Sequence, residues 1–454
     1  MLVNDALDTK QRLELYFEED LAKRFTFTGM HGEGSTAVAW KVTYRPVYNT
    51  PLYPYGPPKH LVLKTQKPLG DIGVWRTQRF DVPGQSRTGS GRVGFVPNEK
   101  RWLEKFEWAE HVVKMIKIPY DPLGVAPAAV REKNWPEWLY LEWLENGSLV
   151  AFMLRAQQHY QFLPNRLLWR LFICLVRMCV AMAWPPLGPE DFDDQRPVTE
   201  RSRNLPPTGF IHDDFHDGNV MFGAFESPGE GAEHNLIPPL KLIDFGDARD
   251  LNEPRERQMY LNQYYKITSE EIRRREGRAS PRVEDTDRDG DVQMPDQDEE
   301  LGEDDLMFAS PEREPMGDDR ATSKNIYDIG KAMLELALLD LRLPIRTRHV
   351  GFQWSPGQAE ISTTAVELVS PNVATGSLRN PGLDPDLRAL IGLCLATDPR
   401  HRPVLQELEL YVQQQIAQRD FGYYNPQRTG DLTESDDNIR QIMQQLLLDA
   451  NTTS

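Results

Sequence analysis

The densest chemistry in the chain lies in eight consecutive residues, His212-Asp213-Asp214-Phe215-His216-Asp217-Gly218-Asn219. So many carboxylates, imidazoles and an amide in one short loop repel one another, and that density rarely serves stability. Apolar runs on both sides hold the loop as a strand–loop–strand unit. Two readings compete. One gathers His212, Asp213 and His216 around a metal, as in metal-dependent phosphohydrolases. It wants ligands on helices and further histidines, and His111, His159 and His234 stand in no supporting motif. The other makes Asp214 a general base and Asn219 an amide ligand for a cation.

Three further pieces bear on the choice. Asp244-Phe245-Gly246 follows the apolar run LKLI, so a carboxylate ends a buried strand just before a glycine turn, well placed for a hard cation such as Mg2+. Gly32, Gly34 and Ala37 fit G-x-G-x-x-[GA], a pattern whose backbone can approach phosphate closely. A plain hairpin turn uses the same residues, and a strand rather than a helix follows, which disfavours dinucleotide binding. Lys64 ends the apolar run LVLK, where a lysine is costly unless it is paired or reaches solvent, and Glu99 is a candidate partner.

These residues need positioning elements. Residues ~7–24 read as a helix, with Leu13, Tyr16, Phe17 and Leu21 at helical spacing. Alternation at Phe25 and Phe27, in AVAWKVTY and in HLVLKT predicts strands, with proline-rich or glycine-rich loops at ~46–58 and ~67–97. A helix is predicted from Asn98, as N-cap, to about Val113. EWLYLEWL reads as a buried strand and ~165–183 as a strongly apolar helix. Helices follow at ~324–341, ~385–396 and ~404–418, and NIRQIMQQLLLD is amphipathic. Strands early and helices late predict an α+β chain rather than alternating βαβ units.

In order and spacing these motifs resemble the eukaryotic protein kinase family. GEGSTAVA is similar to its glycine-rich loop, VLK to its lysine strand, and NEKRWL to the helix carrying that lysine's glutamate. LYLEWLENGSL resembles the hinge, HDDFHDGN the catalytic loop H-x-D-x-x-x-x-N, and IDFG the metal-binding turn. Ser310-Pro311-Glu312 resembles A-P-E, NIYDIGKAMLELA the central helix, and LATDPRHRP the late motif whose arginine, here Arg402, pairs with the A-P-E glutamate, here Glu312. The resemblance spans about residues 20–418.

It implies a bilobal fold: a small antiparallel β N-lobe with one main helix (25–144) and a larger, mostly helical C-lobe (145–418). A helical extension (1–24) precedes them and a tail (419–454) follows. It also implies an ATP- and Mg2+-dependent phosphotransferase acting on serine or threonine hydroxyls of a protein, favouring a basic one. Lys64, fixed by Glu99, would meet the ATP phosphates, Asn219 and Asp244 would hold Mg2+, and Asp214 would accept the hydroxyl proton. Gly32, Glu33, Gly34, Ala37, Ala39, Val62, Glu142, Leu144 and Met221 would line the nucleotide site, with Leu141 as gatekeeper. Some positions depart from the family. Asp213 replaces an arginine, so switching by an ordinary activation-loop phosphate is not expected. Asn325 replaces an aspartate that braces the catalytic loop. His216 replaces a lysine, in a pattern similar to small-molecule phosphotransferases such as aminoglycoside kinases. A pseudokinase scaffold and, behind it, a small-molecule phosphotransferase are the alternatives.

The chain has 454 residues and a formal charge of −17. Of this, −11 falls between Glu284 and Asp305, with twelve acids against Arg288 alone. Residues 276–305 are expected to be a disordered acidic insertion, because they hold too few apolar groups to offset their ordering entropy. The arginines at 273–275, 278 and 282 precede it, and the acidic neighbour disfavours a nucleic acid as partner. Cys174, Cys179 and Cys394 show no metal-ligand spacing and read as buried thiols of a reducing compartment. No apolar run is long enough to span a bilayer, and the first residues lack a signal-peptide core. An intracellular protein, cytoplasmic and/or nuclear and not secreted, is expected, with no membrane partner; oligomeric state carries no sequence signal.

Overall fold

A computed structural model describes residues 10–448, apart from 68–94, 126–136, 189–196, 226–232, 261–319 and some shorter stretches and single positions. The expected acidic insertion, Ser310–Glu312 and hence the Arg402–Glu312 pair lie outside the described residues.

The fold is α+β. Strands β1 (Phe25–Glu33), β2 (Ala37–Tyr44), β5 (Lys59–Gln66) and β6 (Trp138–Glu142) form an antiparallel sheet in the order β1-β2-β5-β6. Between β2 and β5 runs a short hairpin of β3 (Val47–Thr50) and β4 (Tyr53–Tyr55), in a stretch the sequence reads as loop. The glycine turn is also tighter than expected. β1 continues through Gly32 and Glu33, which pair with Ala39 and Val38, and the Gly34 N–H donates to the Ala37 carbonyl at 2.9 Å.

Strand alternation gives the sheet two faces. Trp40, Val42, Leu61, Leu63 and Tyr140 point to one face, where they pack with Leu13 and Phe17 of a helical stretch within residues 10–18. Ala37, Val62 and Leu141 point to the other and join the main core. Trp40 also donates from Nε1 to Thr65 Oγ1 at 2.9 Å, so its one polar group is satisfied in the interior.

The main core is built around α3 (Asn165–Ala183), which is buried along nearly its whole length, with its Arg166 and Arg177 paired to acids. α2 (Leu149–His159), α4 (Arg320–Leu338), α5 (Pro385–Cys394) and α6 (Leu405–Gln418) contribute to it as well. α7 (Asp436–Met443) adds Ile439, Ile442 and Met443. Glu434, just before α7, accepts from the backbone N–H groups of Asn165 and Arg166 at 2.7 and 2.9 Å. That carboxylate thus caps the N-terminus of α3, where both the orphan donors and the helix dipole favour an anion. Among the described residues no helix is long and apolar enough to cross a membrane.

α1 (Phe95–Lys105) differs from expectation at both ends. It starts three residues before Asn98, because Pro97 is tolerated in a first turn and its fixed φ suits the helix. It stops at Lys105, well short of Val113. Residues beyond it run as an extended connection: Val113 N donates to Leu242 O at 3.0 Å, and Leu242 N to His111 O at 2.9 Å. The β-branched pair Val112 and Val113 suits extended backbone better than helix.

Candidate functional site

Lys64 lies on β5 opposite Ala39 of β2 and Leu139 of β6, on the face away from Trp40. From there its Nζ reaches Glu99 Oε2 of α1 at 2.6 Å and Asp244 Oδ1 at 2.8 Å. Burial opposes the Lys64 charge, but the Glu99 and Asp244 carboxylates more than offset it, so its pKa is raised. Glu99 is 1% exposed, and burial pushes its carboxyl up to about 7 despite Lys64. Asp244 is held below the carboxylate range: burial works upward, and the Lys64 ammonium outweighs it. The Asp244 side chain is 41% exposed, so this corner of the triad opens to solvent.

Asp244 follows β9 (Leu240–Leu242) and adopts φ +64°, the left-handed region that a non-glycine residue occupies at a cost of about 1–3 kcal/mol. Its neighbours hold it there. Phe245 is fully buried, with its ring 5.4 Å from Phe106 and 4.9 Å from His212. Asn98, expected to cap α1, instead sits within the helix and donates from Nδ2 to the carbonyls of Gly246 and Ala248, both at 3.0 Å. Trp102 Nε1 adds a bond to Ala248 O at 3.2 Å. α1 is therefore latched to the Asp244 turn by side chains one and two turns along.

The acidic loop lies between β7 (Phe210–Ile211) and β8 (Val220–Phe222). Asn219 donates from Nδ2 to the Asp214 carbonyl at 2.9 Å and to Asp214 Oδ2 at 3.2 Å. Both N–H groups of the amide thus face Asp214, and the amide oxygen is left for a cation. His212 is fully buried and donates from Nε2 to the Ile243 carbonyl at 3.0 Å, and burial lowers its pKa. His216 Nδ1 accepts from Gly218 N at 3.0 Å, which puts any proton of the neutral ring on Nε2, 4.0 Å from Asp214 Oδ2. The phosphohydrolase-type cluster is not assembled. His212 turns into the core, whereas Asp213 turns to Arg249 of β10 (Arg249–Asp250), Oδ2 to Nη2 2.9 Å. Asp213 is a second left-handed aspartate (φ +59°), and burial pushes its carboxyl up to about 6 against the pull of Arg249.

Of the remaining predicted residues, Ala37, Ala39, Val62 and Leu141 lie on the Lys64 face of the sheet. Ala37 and Leu144 are buried, Val62 and Met221 are partly buried against the main core, and Ala39 is half-buried beside Lys64. Glu33 is turned outward, paired to Lys67 at 2.5 Å. The Glu142 carboxylate is spoken for: Oε1 accepts from Lys241 Nζ at 2.6 Å and Lys114 N at 2.7 Å. Asn325 of α4 donates from Nδ2 to the Phe210 carbonyl of β7 at 2.8 Å. The latch residues Asn98 and Trp102, and Arg249 as partner of Asp213, were not legible as site residues.

This geometry sets one ammonium beside two carboxylates, and the bond from Ile243 N to Asn219 O (2.9 Å) joins the carboxylate–amide pair of Asp214 and Asn219 to the strand end that leads into Asp244. A hard-oxygen donor pair, Asp244 and the Asn219 amide oxygen, fits Mg2+. No family model matches the sequence, and no curated protein matches it at a significant level.

Proposed function

We propose that the chain is a protein kinase with a bilobal kinase-like fold, transferring the γ-phosphate of ATP to serine or threonine hydroxyls of a protein substrate. One observation carries the reading: residues 64, 99 and 244, remote in sequence, converge on a single ammonium at 2.6 and 2.8 Å. The sheet and α1 make the N-lobe (25–144), and the core around α3 makes the C-lobe (145–418). The compartment is intracellular, and a basic substrate suits the strongly acidic stretch between Asp244 and Glu312.

Mg-ATP, when bound, supplies the phosphoryl group and the cation that neutralises its charge. Lys64, held by Glu99, binds and orients phosphate oxygens. Asp244 and the Asn219 amide oxygen hold the cation. Asp214, 38% exposed and fixed by the Asn219 amide, orients the acceptor hydroxyl and takes up its proton at Oδ2. Ala37, Ala39, Val62, Leu141, Leu144 and Met221 offer apolar surface for the purine. A positioned charge of this kind is worth up to ~4 kcal/mol at an effective dielectric of ~20.

The test is a radiolabelled-phosphate transfer assay on a library of serine and threonine peptides, with Lys64→Met and Asp214→Asn as controls. Transfer by the wild type and its loss in both variants supports the reading. A thermal shift with Mg-ATP but no transfer from any preparation points to the scaffold, and transfer to small hydroxyl compounds alone points to the small-molecule enzyme.

A further inference from the structure

A second cluster lies away from Lys64, Asp214 and Asp244. His111, on the extended connection after α1, meets Cys174 of α3 and His234 of the loop before β9. His111 and Cys174 are fully buried and His234 is 7% exposed. One donor atom from each lies within 4.8 Å of the other two. The two imidazole centroids are 5.0 Å apart, and Cys174 Sγ is 3.9 Å from His234 Nδ1. Cys174 also lies beside His111.

Both histidines turn their other nitrogen outward to a carboxylate. His111 Nδ1 is 2.6 Å from Glu200 Oε2, and His234 Nε2 is 3.6 Å from Glu110 Oε1. His111 Nε2 is buried and makes no hydrogen bond of ordinary geometry among the described residues. A plain buried His–Glu pair accounts for the Glu200 contact. It does not account for an orphaned imidazole nitrogen gathered with a thiol and a second imidazole.

We propose that His111, Cys174 and His234 supply three donors of a buried zinc site, its fourth position left to a water, with Glu200 as the outer carboxylate that orients His111 and Glu110 standing 3.6 Å from His234. A thiolate and two imidazoles are the borderline-soft donors that Zn2+ takes. Histidine ligands nearly always give their second nitrogen to a carboxylate or carbonyl, as His111 does to Glu200 at 2.6 Å. Donor atoms around zinc stand about 3.3–3.8 Å apart, so the cluster needs about 1 Å of closure. On binding, the Cys174 thiol gives up its proton and both imidazoles coordinate in the neutral form. The ion would tie the connection that follows α1 to α3 and to the loop before β9.

The full chain, stripped with chelator under reducing conditions, is titrated with Zn2+ and with Co2+ in excess Mg2+, and bound metal is counted by elemental analysis. One zinc per chain, a raised Tm, and a thiolate-to-cobalt charge-transfer band are expected. Cys174→Ser removes the band while Cys394→Ser keeps it, and Glu200→Gln weakens zinc about 10–100-fold. Circular dichroism checks that each variant is folded. The cobalt spectrum of the unsubstituted chain needs no variant to fold. A folded wild type with no thiolate band, or one zinc per chain retained in folded Cys174→Ser, overturns the proposal.

Discussion

Two places in this molecule gather charge in the interior, and they handle it in opposite ways. Around Lys64, one ammonium faces two carboxylates, and the group opens to solvent through Asp244. Around Arg177 of α3, one guanidinium faces several acceptors and is only 3% exposed. It donates from Nε and Nη2 to the two Glu233 oxygens at 3.1 and 2.8 Å, and from Nη1 to the Glu200 carbonyl and the Glu409 carboxylate. An open triad can exchange a protein partner for a ligand's phosphate. A closed one cannot, and its charges are fixed to structure. Asp213 and Asp244 also sit in left-handed backbone on the Lys64 side.

Lys64→Met is the sharpest way to break this contrast. Phosphate transfer should fall by up to about three decades, since as much as ~4 kcal/mol of charge stabilisation is removed. Stability should change little, because Glu99 already sits at about 7 and takes up a proton once Lys64 is gone. Assay and urea melt on one preparation check both halves. A large loss of stability with transfer intact would reverse the roles given to the two regions.

Arg177→Met is the converse. It strips Glu233 and Glu409 of their shared partner, and an uncompensated buried charge costs about 3–4 kcal/mol. The chemical denaturation midpoint should drop accordingly, while the KM for ATP in the folded fraction stays near the wild-type value.

These regions also differ in how far residue order exposes them. Lys64 stands out because a lysine closing an apolar run is costly, and Asp244 because a glycine turn follows a buried strand. Asn219 and Asp214 share one short loop, so their contact needs no long-range packing. Arg177 lies in LFICLVRMCVAMAW and reads as one tolerated charge on an apolar helix; its partners come from a distant loop and from α6. Cys174, His111 and His234 have no local spacing at all, and only the packing of α3 against two connections brings them together. Asn98 misled for another reason. Asparagine favours N-caps, but Pro97 is equally at home within the first turn, and the latch to Gly246 depends on a turn far along the chain. The sheet, α3 and α4 were legible from periodicity, whereas the end of α1 was decided by backbone pairing to β9.

Asp213 tests whether strain and desolvation on the open side show up as pH dependence. Its folded-state value, about 6, lies above the ordinary 3.8. The folded chain therefore binds this proton more tightly than the unfolded chain does. The contribution is fully present below about pH 4 and is lost as pH rises through about 6. A gap of about two units at ~1.4 kcal/mol each makes it at most ~3 kcal/mol. Asp213→Asn abolishes the dependence, so the stability gap between variant and wild type should widen in the variant's favour from about pH 4 to about pH 7. Urea midpoints across that range measure it, and parallel curves would show that Asp213 titrates normally.

The smallest effect expected is at Asn98, where the two sides of the site are joined. Its amide makes two bonds to the 246–248 carbonyls, and Trp102 makes a third to Ala248. Asn98→Ala leaves the Trp102 bond in place and should cost about 1–2 kcal/mol of stability, the usual worth of such bonds. Asn98 touches neither the phosphates nor the hydroxyl in the proposed reaction, so it is a positioning residue, and its loss should lower kcat about 5–10-fold with KM for ATP nearly unchanged. Asn98→Ser, with a shorter donor, should recover part of that loss. A fall in stability with kcat untouched would mean that α1 is held against the Asp244 turn by Phe106 and Trp102 packing alone, and that the amide latch adds nothing to the placement of the Asp244 carboxylate.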